Sequence, residues 1–129
     1  MSKFMNVLLV DDNEIDNFIN ERIIASSGFS ENVTVKDTAD LALAYLKECN
    51  AEGRSLPEFI FLDLNMPLKD GFGFLEDFAK LDEKIKTFCR VIVLSSSISP
   101  EDINRASTNP LVYKYINKPL SEKYLEAVV

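Results

Sequence analysis

The sequence predicts an α/β domain built on a parallel sheet, and three observations predict it. Four short apolar runs punctuate the chain: Val7–Val10, Phe59–Leu62, Val91–Leu94 and Leu111–Ile116, the last interrupted by Lys114. The first three are unbroken instead of alternating, which suits strands covered on both faces. Helical patterns lie between the runs, so strand and helix alternate along the chain, the order that leads to right-handed crossovers and parallel pairing. A weaker, more alternating stretch, Asn32–Lys36, supplies a fifth strand and reads as an edge strand.

The helices follow in order. After the first run, Ile15, Phe18, Ile19 and Ile23, with the stem of Arg22, form a stripe at spacings of three and four, and Gly28 ends the segment as a C-terminal glycine does. Leu41, Tyr45, Leu46 and Cys49 form a second stripe, started by Asp37 or Thr38 as N-cap. Phe74, Leu75, Phe78 and Leu81 form a third after the turn at Asp70-Gly71. Ser99-Pro100-Glu101-Asp102 reads as a helix start: a capping Ser, Pro at the first helical position and acids in the first turn. That helix is short and ends by Asn109-Pro110. A last helix, expected to be about nine residues long, opens near Pro119-Leu120-Ser121 and runs to the end. Gly53–Pro57 reads as a loop, and Glu76-Asp77 and Asp82–Lys86 read as solvated helix faces. With no repeat or linker, residues 1–129 are expected to form a single domain.

Composition narrows the function. Hydrophobic residues make up 47% and charged residues 27%, a balance that buries a core without disulfides or a structural metal. A net charge of −7 with a pI near 4.6 disfavours binding to nucleic-acid phosphates. The absence of histidine, with Cys49 and Cys89 far apart, excludes an ordinary zinc site and both Ser-His-Asp and Cys-His catalysis. The two thiols are expected to be reduced and half-buried. The N-terminal apolar run is too short for a signal peptide and no segment is long enough to span a bilayer, so a cytoplasmic protein without membrane association is expected.

In an open parallel sheet, ligands bind beyond the carboxyl ends of the strands. The first run ends in Asp11-Asp12, the second long one in Asp63, the next in Ser95-Ser96-Ser97, and the last is followed by Lys118-Pro119. Singly these read as helix caps, loop residues or a solvated lysine. Together they place three carboxylates, hydroxyls and an ammonium at one edge. Like charges that close repel, and a hard divalent cation such as Mg²⁺ relieves them. A carboxylate between that cation and Lys118 has the surroundings of a nucleophile towards phosphorus.

These residues carry a resemblance. Val7-Leu8-Leu9-Val10-Asp11-Asp12, Asp63-Leu64-Asn65-Met66-Pro67 with Asp70-Gly71-Phe72, Val91–Ser95 and Tyr115-Ile116-Asn117-Lys118-Pro119, in this order, resemble the receiver domain of two-component response regulators over essentially the whole chain. The resemblance implies a doubly wound (βα)5 flavodoxin-like sheet of order 2-1-3-4-5, which the chemotaxis receiver exemplifies. It implies that Asp63 is the phosphoacceptor, and that Mg²⁺ is held by Asp11, Asp12, Asp63 and the Asn65 backbone carbonyl. It gives Lys118 the role of pairing with the phosphoryl group, and Ser95 and Tyr115 the role of a switch. It implies a cis Lys118-Pro119 bond. A sensor histidine kinase or phosphotransfer protein is the expected donor and a downstream protein the expected target, with homodimerisation left open. The domain is then no enzyme beyond its own phosphorylation and dephosphorylation. Ser at position 95 departs from the commoner Thr, and Ser96 stands where Ala is usual.

Two other readings compete. A Mg²⁺-dependent phosphohydrolase of haloacid-dehalogenase type would want a second acid two residues after the nucleophile, and Asn65 stands there. A flavodoxin-like electron carrier needs a phosphate loop after the first strand, where Asp11-Asp12 would repel the cofactor.

Overall fold

The computed structural model describes residues 3–128. Five strands, β1 (Phe4–Val10), β2 (Ser30–Lys36), β3 (Phe59–Leu62), β4 (Arg90–Ser95) and β5 (Val112–Asn117), form one parallel sheet of order β2-β1-β3-β4-β5. The helices among the described residues are α1 (Glu14–Ser26), α2 (Ala39–Ala51), α3 (Gly71–Phe78), α4 (Glu83–Phe88), α5 (Pro100–Ser107) and α6 (Glu122–Ala127). The parallel sheet and its expected order are therefore present, with β2 at an edge.

The unbroken runs have a direct cause. Leu8, Val10, Ile60, Leu62, Val91 and Val93 face one core with residues of α2 and α3. Their neighbours Val7, Leu9, Phe59, Phe61, Ile92 and Leu94 face the other, with Ile24 of α1 and Leu125 of α6. Both faces are covered, so neither can be polar.

The structure corrects several expectations. In α1 most of the apolar stripe points outward: Ile15, Phe18 and Ile19 are 71%, 62% and 44% exposed, while Ile23 packs half-buried against the core and Asn17, Asn20 and Ile24 are buried. The Asn17 amide donates to the Asp11 carbonyl at 2.7 Å, which docks the polar side of the helix on the end of β1. In α2, Leu46 and Cys49 are buried as a stripe would have them, but Leu41 is exposed, Tyr45 is half-buried, and Ala39, Ala42 and Leu43 complete the inner face. Leu81 is buried but lies beyond the end of α3. The charged stretch Asp82–Lys86 holds a helix of its own, α4, so the helices number six among the described residues and not five. The last helix has six residues after its cap Ser121, not nine, and Val129, which it was expected to reach, lies outside the described residues. Both cysteines are free and fully buried instead of half-buried. Burial, then proximity to Cys49, pushes the Cys89 thiol up to about 12.

Other signals hold. Thr38 and Ser99 cap α2 and α5, and the turn at Asp70-Gly71 leads into α3 with Asp70 as its cap. Gly28 takes φ 73° just beyond α1, and the Lys118–Pro119 bond is cis. No helix among the described residues is long and apolar enough to cross a membrane.

Candidate functional site

Strand register brings the charged residues together. Val10 pairs with Leu62, Leu62 with Val93, and Ser95 with Asn117. The residue after each strand end therefore emerges at one edge of the sheet. Backbone bonds extend the ladders one step further: Asp63 N–H donates to Val10 O at 3.0 Å, and Lys118 N–H to Ser95 O at 2.9 Å.

Asp11 and Asp63 are 4% and 6% exposed, whereas Asp12 is exposed. Carboxylate oxygens of Asp11, Asp12 and Asp63 lie within 4.8 Å of one another. The Lys118 ammonium donates to Asp11 Oδ2 at 2.7 Å and to Asp16 Oδ2 at 2.8 Å, and stands 3.6 Å from Asp63 Oδ1. Burial, then the Asp11 charge, raises Asp63 to about 6; Lys118 and a backbone bond from Asn65 oppose the rise. Burial disfavours the Lys118 charge, but hydrogen bonds to Asp11 and Asp16 and the field of Asp63 outweigh it and hold the ammonium above its ordinary range.

These groups meet at an open cleft of about 560 Å³, lined in part by Asp12, Asp16, Asp63, Asn65, Ser96 and Lys118. Two connections shape it. The loop from β3 to α3 folds back so that Gly71 N–H donates to Leu64 O at 2.9 Å. A Cβ at Gly71 would stand 2.7 Å from Asp63 O and 2.8 Å from Leu64 Cα, so only glycine fits without moving backbone. Beyond β4, the fully buried Ser95 hydroxyl accepts the Ser97 N–H at 3.0 Å. The Ser97 carbonyl accepts from the Tyr115 hydroxyl at 3.3 Å, and the Ser97 hydroxyl donates to Asp102 of α5 at 3.0 Å.

Asp11, Asp12, Asp63, Asn65 and Lys118 thus share the cleft region, while Ser95 and Tyr115 meet through Ser97. Sequence reasoning missed Asp16, which sits in the first turn of α1 and reads as an ordinary helix-start acid. Its signal is faint: it follows Asp12 by one helical turn. The clustered carboxylates offer hard oxygen ligands and more negative charge than Lys118 alone offsets, which fits a divalent cation such as Mg²⁺. A cation held there, with Lys118, would place positive charge beside the buried Asp63 carboxylate.

Comparison with known proteins points the same way. Residues 7–129 match the family described as response regulator receiver domain. The probable methanogenesis regulatory protein FilR2 of Methanothrix harundinacea is 35% identical over 123 residues, 95% of this chain and 77% of that protein. A two-component response regulator from Cytophaga hutchinsonii superposes with a TM-score of 0.89 at 32% identity, over 99% of this chain and 95% of the other. The phosphorylated cyanobacterial phytochrome response regulator RcpA superposes at 0.76 with 31% identity, over 97% and 89%.

Proposed function

The chain belongs to the receiver domain family of two-component response regulators, and from that premise we propose that Asp63 accepts a phosphoryl group from a phosphohistidine. The observation that carries the proposal is a carboxylate 6% exposed at a cleft, with two acids and an ammonium converging on it. Asp11, Asp12, Asp63 and the Asn65 carbonyl would hold Mg²⁺, which when bound neutralises the acids and the equatorial phosphoryl oxygens.

One Asp63 oxygen attacks phosphorus in line; the P–O bond forms as the P–N bond breaks. The imidazole nitrogen of the donor keeps the electron pair and picks up a proton. Lys118 sits where it can neutralise charge on the transferred group. The buried Ser95 hydroxyl turns towards the new anion and gives up the Ser97 N–H, which loosens the contact through Ser97 to Tyr115 and α5. That bias selects a surface for a downstream protein. The exposed Ile15 lines the cleft, and with Phe18 and Ile19 it offers the donor protein an apolar approach. The donor is a sensor histidine kinase or a phosphotransfer protein.

Residues 1–129 act as one receiver domain that catalyses only its own phosphorylation and dephosphorylation. The buried free thiols accord with a cytoplasmic setting. The phosphohydrolase reading is not favoured, since Asn65 occupies the place of a general acid.

Incubation with a small acyl phosphate and Mg²⁺, followed by intact mass measurement, tests the proposal. One added phosphoryl group is expected for the native chain and none for Asp63→Asn. No gain, or undiminished labelling of the variant, overturns it.

A further inference from the structure

We propose that Asp16 is a positioning residue that competes with the phosphoryl group for Lys118 and so limits how tightly the site holds that group; this rests on the reading of Asp63 as phosphoacceptor. An ammonium has three donors. Two of those on Lys118 are committed to Asp11 at 2.7 Å and Asp16 at 2.8 Å, while Asp63 at 3.6 Å lies beyond ordinary hydrogen-bond reach. The lysine therefore rests on the acids of the first loop and first helical turn, to one side of the nucleophile.

Asp16 has a pinned backbone and a short side chain, so it has less reach than the long lysine stem. Its backbone N–H donates to the capping Asn13 side chain at 3.0 Å, and the next residue, Asn17, ties α1 to the Asp11 carbonyl at 2.7 Å. The flexible stem of Lys118 is the part that yields. A phosphoryl group on Asp63 brings nearly two negative charges beside an ammonium already shared by two carboxylates. Asp11 has a second use as a cation ligand, which leaves Asp16 as the carboxylate outside the proposed metal set that holds Lys118. The Asp16 side chain is 35% exposed against 13% for Lys118, so water can replace the lysine on Asp16. The fixed charge of Asp16 also repels an incoming anion. Both effects act in one direction: Asp16 favours the unphosphorylated site.

The test uses beryllium trifluoride as the phosphoryl mimic, at saturating Mg²⁺, with binding followed by fluorine NMR on the full chain. For a partly exposed ion pair, Asp16→Asn is expected to bind about threefold to fivefold more tightly, with the difference shrinking as salt rises. Asp16→Glu restores the charge and is expected to return the affinity towards that of the native chain, which a merely structural loss in α1 would not produce. Equal or weaker binding by a folded Asp16→Asn overturns the role of Asp16 while leaving Asp63 as phosphoacceptor. Failure of the native chain to bind the mimic at all sinks the phosphoacceptor reading, and this inference with it.

Discussion

Asp63 is held between opposing fields. Burial and Asp11 favour its protonated form, and Lys118 favours its ionised form; the first pair wins and raises it from 3.8 to about 6. In the metal-free protein the folded state then binds more protons than the unfolded chain between those two values. Stability contributed at low pH is lost as pH climbs through that window, by up to about 3 kcal/mol. Asp63→Asn has no such titration. Urea melts without divalent cations should show the variant gaining on the native protein from about pH 4 to about pH 6, with a constant gap above. A gap that does not change across this range would remove the electrostatic account. The same residue explains why a cation suits the site, since the charge that destabilises the empty cluster is the charge that binds the ion.

Among the elements, the connection from β3 to α3 matters most for the site. It must leave the strand at Asp63, pass the Asn65 position and start a helix within eight residues, and it does so by pressing Gly71 onto the backbone of Asp63 and Leu64. Gly71→Ala should displace that backbone, cost about 1–3 kcal/mol in stability and weaken Mg²⁺ binding. Thermal melts and Mg²⁺ titrations read both effects, and a variant with native values would show that the loop can yield. The neighbouring α1 works differently. It gives the core only Ile24 and part of Ile23, so its place also depends on Asn17, and Ile15, Phe18 and Ile19 stay exposed on its outer face.

At the scale of the whole molecule, the site is joined to one flank of the sheet. Ser95 at the end of β4 reaches Tyr115 on β5 and Asp102 on α5 through the single residue Ser97. Arg105 of α5 also stacks over the Phe72 ring of α3, 4.0 Å from its centroid, which couples that helix to the element beside Asp63. Tyr115→Phe keeps the ring and removes the bond to Ser97. The expected outcome is unchanged uptake of a phosphoryl group with smaller amide shifts along α5 and β5 on phosphorylation, measured by NMR. Full-sized shifts would show that the hydroxyl carries no coupling.

What could be read from the chain alone were features written locally or by strand ends. Unbroken Phe59–Leu62 announced a strand covered on both faces, Ser99-Pro100 announced a helix start, and Asp11, Asp12, Asp63 and Lys118 could be placed at one edge because parallel strands all end on the same side. Three things needed the tertiary structure. Periodicity shows that Ile15, Phe18 and Ile19 share a side of α1, but not which side the sheet covers; the Asn17 bond to Asp11 decided that. The six residues of α4 bury only Ile85, too little for a pattern. Asp16 meets its lysine across 102 positions of sequence, and no local signal can report a pairing that exists only once β5 lies beside β4 and the chain returns to the start of α1. Local preference and solvent exclusion act on neighbours in sequence, whereas charge acts through space, so the balance around Lys118 was decided by the fold.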